Sequence, residues 1–146
     1  MDSFEFRAEP RLVFGAGRAS YVGELARELR FRRTLFAADP GISKTEHAER
    51  ALACLREHGV EVFPFHEFGE NPDTAMIDRG TEFARHHDID SLIGFGGGSS
   101  MDCAKGINFL VTNGGTMRKY WGFGKASKPL LPMIGVPMTA CTGSEA

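Results

Sequence analysis

No apolar run in this 146-residue sequence approaches the roughly 20 residues needed to cross a bilayer, and its N-terminus lacks the basic and apolar segments of a secretory signal. Those absences make a cytoplasmic protein with no membrane partner the expectation. Cysteine is scarce. Cys54, Cys103 and Cys141 are odd in number, widely spaced and free of any CxxC pair, which argues against a disulfide framework or a zinc knuckle. Neither sign of charge dominates: 17 Lys and Arg stand against 19 Asp and Glu, a formal net charge of −2. A chain so balanced is not expected to bind nucleic acid or an anionic surface. The basic cluster Arg27, Arg30, Arg32 and Arg33 reads as a solvated helix end. The length suits one domain with a real core.

Glycine is abundant, with 18 residues, and its most informative run lies in Gly94 to Lys105, GFGGGSSMDCAK. The residues Ile89 to Phe95 alternate little, as expected of a strand covered on both faces. Gly96, Gly97 and Gly98 remove every Cβ where a diphosphate would approach the main chain. Ser99 and Ser100 are candidate N-caps of a helix whose free N–H groups and dipole face an anion. Asp102 is expected in the first turn, and Ala104, Ile107, Leu110 and Val111 form the apolar face. A tight strand-to-helix turn with no ligand is the alternative. The run is neither a Walker A loop nor GxGxxG, because Lys105 lies inside the helix and no Ser or Thr follows it.

The remaining chain alternates strand and helix. Phe4 to Phe14 reads as a hairpin turning at Glu9-Pro10-Arg11, with Pro at a sheet edge. A helix is expected from about Ala19 to Leu29, a buried strand over Thr34 to Ala38, a helix over Thr45 to His58 and a strand over Val60 to Phe65. Asn71-Pro72-Asp73 has the form of a helix start with Asn71 as the cap. Asn113 to Lys128 reads as a long loop that either covers a site or is plain surface. Leu130 to Val136 is expected as a last buried strand, followed by a polar loop. This alternation implies a Rossmann-like α/β fold, a parallel sheet with helices on both faces and an N-terminal β-hairpin. Loops after the strands would then share one edge, bringing Asp39, Gly96 to Ser99 and Thr139 to Ser144 to a common crevice. Asp39 closes the Thr34 to Ala38 strand, where a carboxylate either accepts ribose hydroxyls and repels a 2′-phosphate or simply forms an Asx turn.

Gly15-Ala16-Gly17, with Asp39 about 20 residues on, superficially fits the dinucleotide fingerprint. Its third glycine is Ser20, however, and the segment before it carries Pro10, so Gly96 to Ser99 ranks above it.

These motifs carry a family resemblance. GGGSSMDCAK, preceded by Asn71-Pro72 and followed by Thr139-Ala140-Cys141-Thr142-Gly143-Ser144-Glu145, resembles the N-terminal domain of the iron-containing (group III) alcohol dehydrogenases, a dehydroquinate synthase-like N-terminal domain. The FGAG turn at Phe14 to Gly17, the Asp39-Pro40 strand end and the Asn113-Gly114-Gly115 loop fall in the family's order. The resemblance covers essentially the whole chain and implies NAD(P)-dependent hydride transfer on a small alcohol or aldehyde. It assigns the diphosphate to Gly97, Gly98 and Ser99 with Asp102 nearby, and the adenosine ribose to Asp39, favouring NAD over NADP. Asn71, Thr139, Thr142 and Ser144 map to further cofactor positions. Cys141 stands where the family usually has Gly.

The family's helical second domain, which supplies an Asp and a set of His to a divalent metal, Fe2+ or Zn2+, has no counterpart here. None of His47, His58, His66, His86 and His87 shows its ligand spacing. Residues 1–146 are therefore expected to be the cofactor-binding half, ending before the metal domain and inactive alone. Glycerol dehydrogenase, maleylacetate reductase and the dehydroquinate synthase group share a GGGSxxD turn. A non-catalytic nucleotide-binding or oligomerisation module is the reading from another class. Pairing of the Phe4 to Phe14 hairpin between copies would give a homodimer or higher homo-oligomer.

Overall fold

The computed structural model describes residues 10–122, 124–139 and 144. Four strands, β1 (Arg33–Ala37), β2 (Glu61–Phe65), β3 (Ser91–Gly96) and β4 (Met133–Pro137), form one sheet in the order β2-β1-β3-β4. Every pairing is parallel, with Leu35 opposite Leu92 and Phe63, and Ile93 opposite Ile134. Parallel neighbours require crossovers, and here these are α1 (Val22–Glu28) leading into β1, then α2 (Glu46–Glu57), α3 (Thr74–His86) and α4 (Gly98–Asn113) between the strands.

The helices divide between the two faces, as the strand sequences require. Leu35, Ala37 and Leu92 meet Ile77 and Ala84 of α3 and Cys103, Ala104, Ile107 and Leu110 of α4 on one face. Phe36, Ile93 and Phe95 meet Val22 and Ala26 of α1 and Ala48, Ala51 and Leu55 of α2 on the other. All six residues of β3 are buried, so this strand is covered on both sides and its run is continuously apolar. Glycines let the layers close: an ideal Cβ on Gly94 would lie 3.1 Å from Met101 Cα, and one on Gly80 would lie 2.3 Å from Ile107 Cδ1. At the amino-terminal ends of the central strands, Asp90 Oδ1 accepts the N–H groups of Arg32 and Arg33, each at 3.1 Å, and ties the starts of β1 and β3 together.

Several expectations are corrected. The first arm of the hairpin, Phe4 to Glu9, lies outside the described residues, and residues 10–14 carry no strand; Leu12 and Phe14 are 85% and 92% exposed. Asp73, not Asn71, caps α3, because its carboxylate accepts the Met76 N–H at 2.8 Å. Asn71 stands two residues earlier with φ 51, a left-handed conformation that Asn tolerates. At α4 the cap is Gly97 with no side-chain bond, because Ser99 Oγ is engaged elsewhere and Ser100 is already helical. Asp102 consequently falls in the second turn and is exposed. β4 is not a fully buried strand: among the described residues it pairs only with β3, and only Ile134 is buried. The helix expected to reach Leu29 ends at Glu28, and Leu29 is 46% exposed, whereas Val22, Gly23 and Ala26 are buried in α1.

Cys103 sits in the α4 core, fully buried, and burial pushes its thiol from 9.0 up to about 12. The folded chain therefore keeps the proton while the unfolded chain releases it. The resulting stability is complete below pH 9.0 and is lost as the pH rises toward 12. Urea unfolding at pH 8 and pH 10 is expected to show an alkaline loss larger in the parent than in Cys103→Ala by about 1.4 kcal/mol. Equal losses in the two proteins would contradict this account.

Candidate functional site

The order β2-β1-β3-β4 reverses direction between β1 and β3. From β1 the chain crosses to one side to make β2, then returns to the other side to make β3. At such a switch point the loops after the two strands diverge and leave a crevice at their carboxyl ends. A cleft of about 580 Å³ lies there. Asp39, Pro40 and Ile42 come from the loop after β1; Gly69, Glu70 and Asn71 from the loop after β2. Gly97, Gly98 and Ser99 come from the turn after β3, and Thr139 follows β4.

The glycine turn is built for close approach. Gly96 has φ 132, a backbone region open to glycine, and an ideal Cβ on it would lie 2.9 Å from Ser100 Oγ and 3.5 Å from Asp39 Oδ2. Gly97 faces Thr139, whose Oγ1 would lie 3.6 Å from an added Cβ. α4 then runs for 16 residues from Gly98. Its start offers main-chain N–H groups and the positive end of the helix dipole to the cleft. Ser100 Oγ is wholly buried and has no hydrogen-bond partner among the described residues. The N–H of Met138 donates to Gly96 O at 2.7 Å, which holds the β4 loop against the turn.

Asp39 makes the Asx turn, with Oδ1 accepting the N–H groups of Gly41 at 2.9 Å and Ile42 at 3.1 Å. This does not remove it from the cleft, because Oδ2 faces Gly96. The two uses proposed for that carboxylate are compatible, one oxygen each. Ser99 Oγ accepts the Asn71 N–H at 3.1 Å, joining the loop after β2 to the glycine turn.

Six of the nine candidate residues, Asp39, Asn71, Gly97, Gly98, Ser99 and Thr139, therefore line one cleft. Asp102 and Ser144 are not among its lining residues, and Thr142, like Cys141, lies outside the described residues. Sequence reasoning missed Pro40, Ile42, Gly69 and Glu70. Their adjacency to Asp39 and Asn71 was the available signal. The long loop after α4 does not enter the lining; Asn113 Oδ1 pins it by accepting the N–H groups of Ser127 and Lys128. Gly15 and Gly17 are exposed and precede a short 3-10 helix, away from the cleft lining. Among the described residues no group of three His, Cys, Asp or Glu converges as a metal site.

The Ser99 to Asn71 bond joins two separate loops, so Ser99→Ala should loosen the one after β2. Losing one hydrogen bond of about 1 kcal/mol is expected to speed Asn71 amide hydrogen exchange by about fivefold. Unchanged exchange at Asn71 would show that Ser99 does not hold the loop.

Comparison with known proteins places this geometry in a family. The family model for iron-containing alcohol dehydrogenase matches residues 9–146. The chain is 38% identical to alcohol dehydrogenase 4 of Schizosaccharomyces pombe over 133 residues, 91% of this chain and 32% of that protein. It is 31% identical to the NAD-dependent methanol dehydrogenase of Bacillus methanolicus over 140 residues, 96% of this chain and 37% of that one. The NADH-dependent butanol dehydrogenase A of Thermotoga maritima superposes with a TM-score of 0.89 at 27% identity, covering 98% of this chain and 36% of that structure. The chain thus spans about a third of the length of the curated relatives it matches. With its parallel sheet, its glycine turn and this match over nearly its full length, the chain belongs to the iron-containing alcohol dehydrogenase family.

Proposed function

We propose that residues 1–146 form the dinucleotide-binding half of an NAD-dependent alcohol dehydrogenase. The observation that carries this reading is the cleft at the β1/β3 switch point, where the start of α4 and the Asp39 carboxylate face one space. In this reading the diphosphate lies on Gly97, Gly98 and Ser99, held by main-chain N–H groups rather than by cations. Asp39 Oδ2 accepts from the adenosine ribose hydroxyls while Oδ1 stays in its turn. A 2′-phosphate at that place would meet a carboxylate, which selects NAD over NADP. Asn71, Thr139, Thr142, Ser144 and Asp102 remain assigned to the cofactor's surroundings by resemblance. Of these, Asn71 and Thr139 have the support of lining the cleft.

When bound, the dinucleotide supplies a hydride acceptor or donor for a small alcohol or aldehyde. This chain's part is to orient it: the glycine turn fixes the diphosphate and Ser99 braces the loop carrying Asn71. Metal dependence on Fe2+ or Zn2+ belongs, in this reading, to a helical domain of the longer protein. The described residues offer no metal set, so no step of the reaction is assigned to metal here. The reading also takes the protein as cytoplasmic and homo-oligomeric. Leu12 and Phe14, exposed apolar side chains in the second arm of the expected hairpin, are what a second copy would cover.

Calorimetric titration of the folded chain with NADH and NADPH tests the reading. NADH is expected to bind in preference, Gly98→Val to weaken binding by at least about tenfold through the lost close approach, and Asp39→Gly to erase the preference. Binding of neither nucleotide would defeat the assignment of the glycine turn.

A further inference from the structure

His66, the first residue after β2, belongs to none of the sequence motifs, yet one of its contacts bears directly on the cleft. Its Nδ1 lies 2.8 Å from the carbonyl oxygen of Ala38, the residue before Asp39. A carbonyl oxygen only accepts, so Nδ1 carries the proton and donates it. Ala38 is wholly buried, and a buried carbonyl without a donor is costly. Both polar groups of this residue's main chain are therefore held from the β2 side: its N–H donates to Phe65 O at 3.2 Å, and its C=O accepts from His66. The peptide joining Ala38 to Asp39 is planar. Fixing its carbonyl fixes the direction in which the chain enters Asp39.

The imidazole is in turn carried by a braced loop. Phe68, buried in the core, stacks on Phe65 with ring centroids 6.0 Å apart. Arg79 pairs with Glu67 at 3.8 Å, and the Asn71 N–H donates to Ser99 Oγ at 3.1 Å. Residues 66–71 thus connect the peptide before Asp39 to the glycine turn, with one hydrogen bond at each end. The Asx turn holds the Asp39 carboxylate only to its own loop, at Gly41 and Ile42. The His66 bond ties that loop to the one braced on Ser99.

We propose that His66 is a positioning residue for cofactor selection: by holding the Ala38 carbonyl it sets where the Asp39 carboxylate stands relative to the glycine turn. This deepens the dinucleotide reading above and rests on it. A hydrogen bond to the ribose hydroxyls weakens steeply with misalignment, and repulsion of a 2′-phosphate falls as the carboxylate moves away. Displacing Asp39 therefore weakens NADH more than NADPH. A residue that only stabilised the fold would change both nucleotides alike.

The test is calorimetry of the full chain and its His66→Phe, His66→Ala and His66→Asn variants with NADH and NADPH, folding being checked by circular dichroism. Amide hydrogen exchange of the ligand-free proteins is followed in parallel. His66→Phe and His66→Ala both remove the donor. Each is expected to narrow the preference for NADH by about fivefold, the worth of one hydrogen bond, and to speed exchange at Gly41 and Ile42, whose N–H groups donate to Asp39. His66→Asn, whose side-chain amide offers a donor in place of Nδ1, should recover most of both effects. An unchanged preference in the two donor-free variants, an equal loss of NADH and NADPH, or no recovery with His66→Asn would overturn the assignment while leaving the dinucleotide site standing. If the folded parent binds neither nucleotide, the dinucleotide reading fails and this inference fails with it.

Discussion

The parallel pairing of β1 with β3 is the constraint on which the rest depends. Ala37 lies opposite Gly94, so the two strands end side by side and Asp39 emerges next to the glycine turn. Had the chain placed β2 between them, the same residues would lie one strand spacing further apart, roughly 4.8 Å. Asp39 Oδ2 would then not face Gly96. The cleft follows from strand order before it follows from any side chain.

That pairing is possible because small residues thin the layers where the helices cross. Gly94 and Gly135 both lie against Met101, whose Sδ would be 3.2 Å from a Cβ on either. Gly80 and Gly106 receive Ile107 and Ile77 in turn, so α3 and α4 interlock through two glycine-isoleucine contacts. α4 is thereby seated close enough to β3 for its first turn to open directly onto the strand ends. Glycine serves two separate purposes in this helix: Gly97 and Gly98 expose main chain to the cleft, while Gly106 packs the core.

Much of this was legible in the sequence. The weakly alternating segment Ile89 to Phe95 reads as a strand covered on both faces, and the structure covers β3, Ser91–Gly96, with two helices on each face. Asp39, Asn71, Gly97, Gly98, Ser99 and Thr139 were named from motifs and share one cleft. The errors came where two local signals competed. Asn71-Pro72-Asp73 offers two capping residues, and pattern alone does not reveal that the second takes the Met76 N–H. Ser99 and Ser100 look like caps, yet the cap position falls on Gly97 because β3 delivers the chain there in an extended conformation. Glu70 carried no motif; only the three-dimensional proximity of the loop after β2 to the glycine turn brings it to notice. The burial of β4 was overestimated because an apolar run states hydrophobicity, whereas edge position depends on strand order.

The central claim is that a dinucleotide lies across the β1/β3 switch point with its diphosphate on the glycine turn. Nuclear magnetic resonance of the 15N-labelled chain titrated with NADH tests it most directly, because it locates the ligand residue by residue. The account predicts the largest amide shifts at Gly97, Gly98 and Ser99, with further shifts at Gly41, Ile42 and Asn71. Shifts confined to residues away from the carboxyl ends of the strands, with the glycine turn unperturbed, would contradict it.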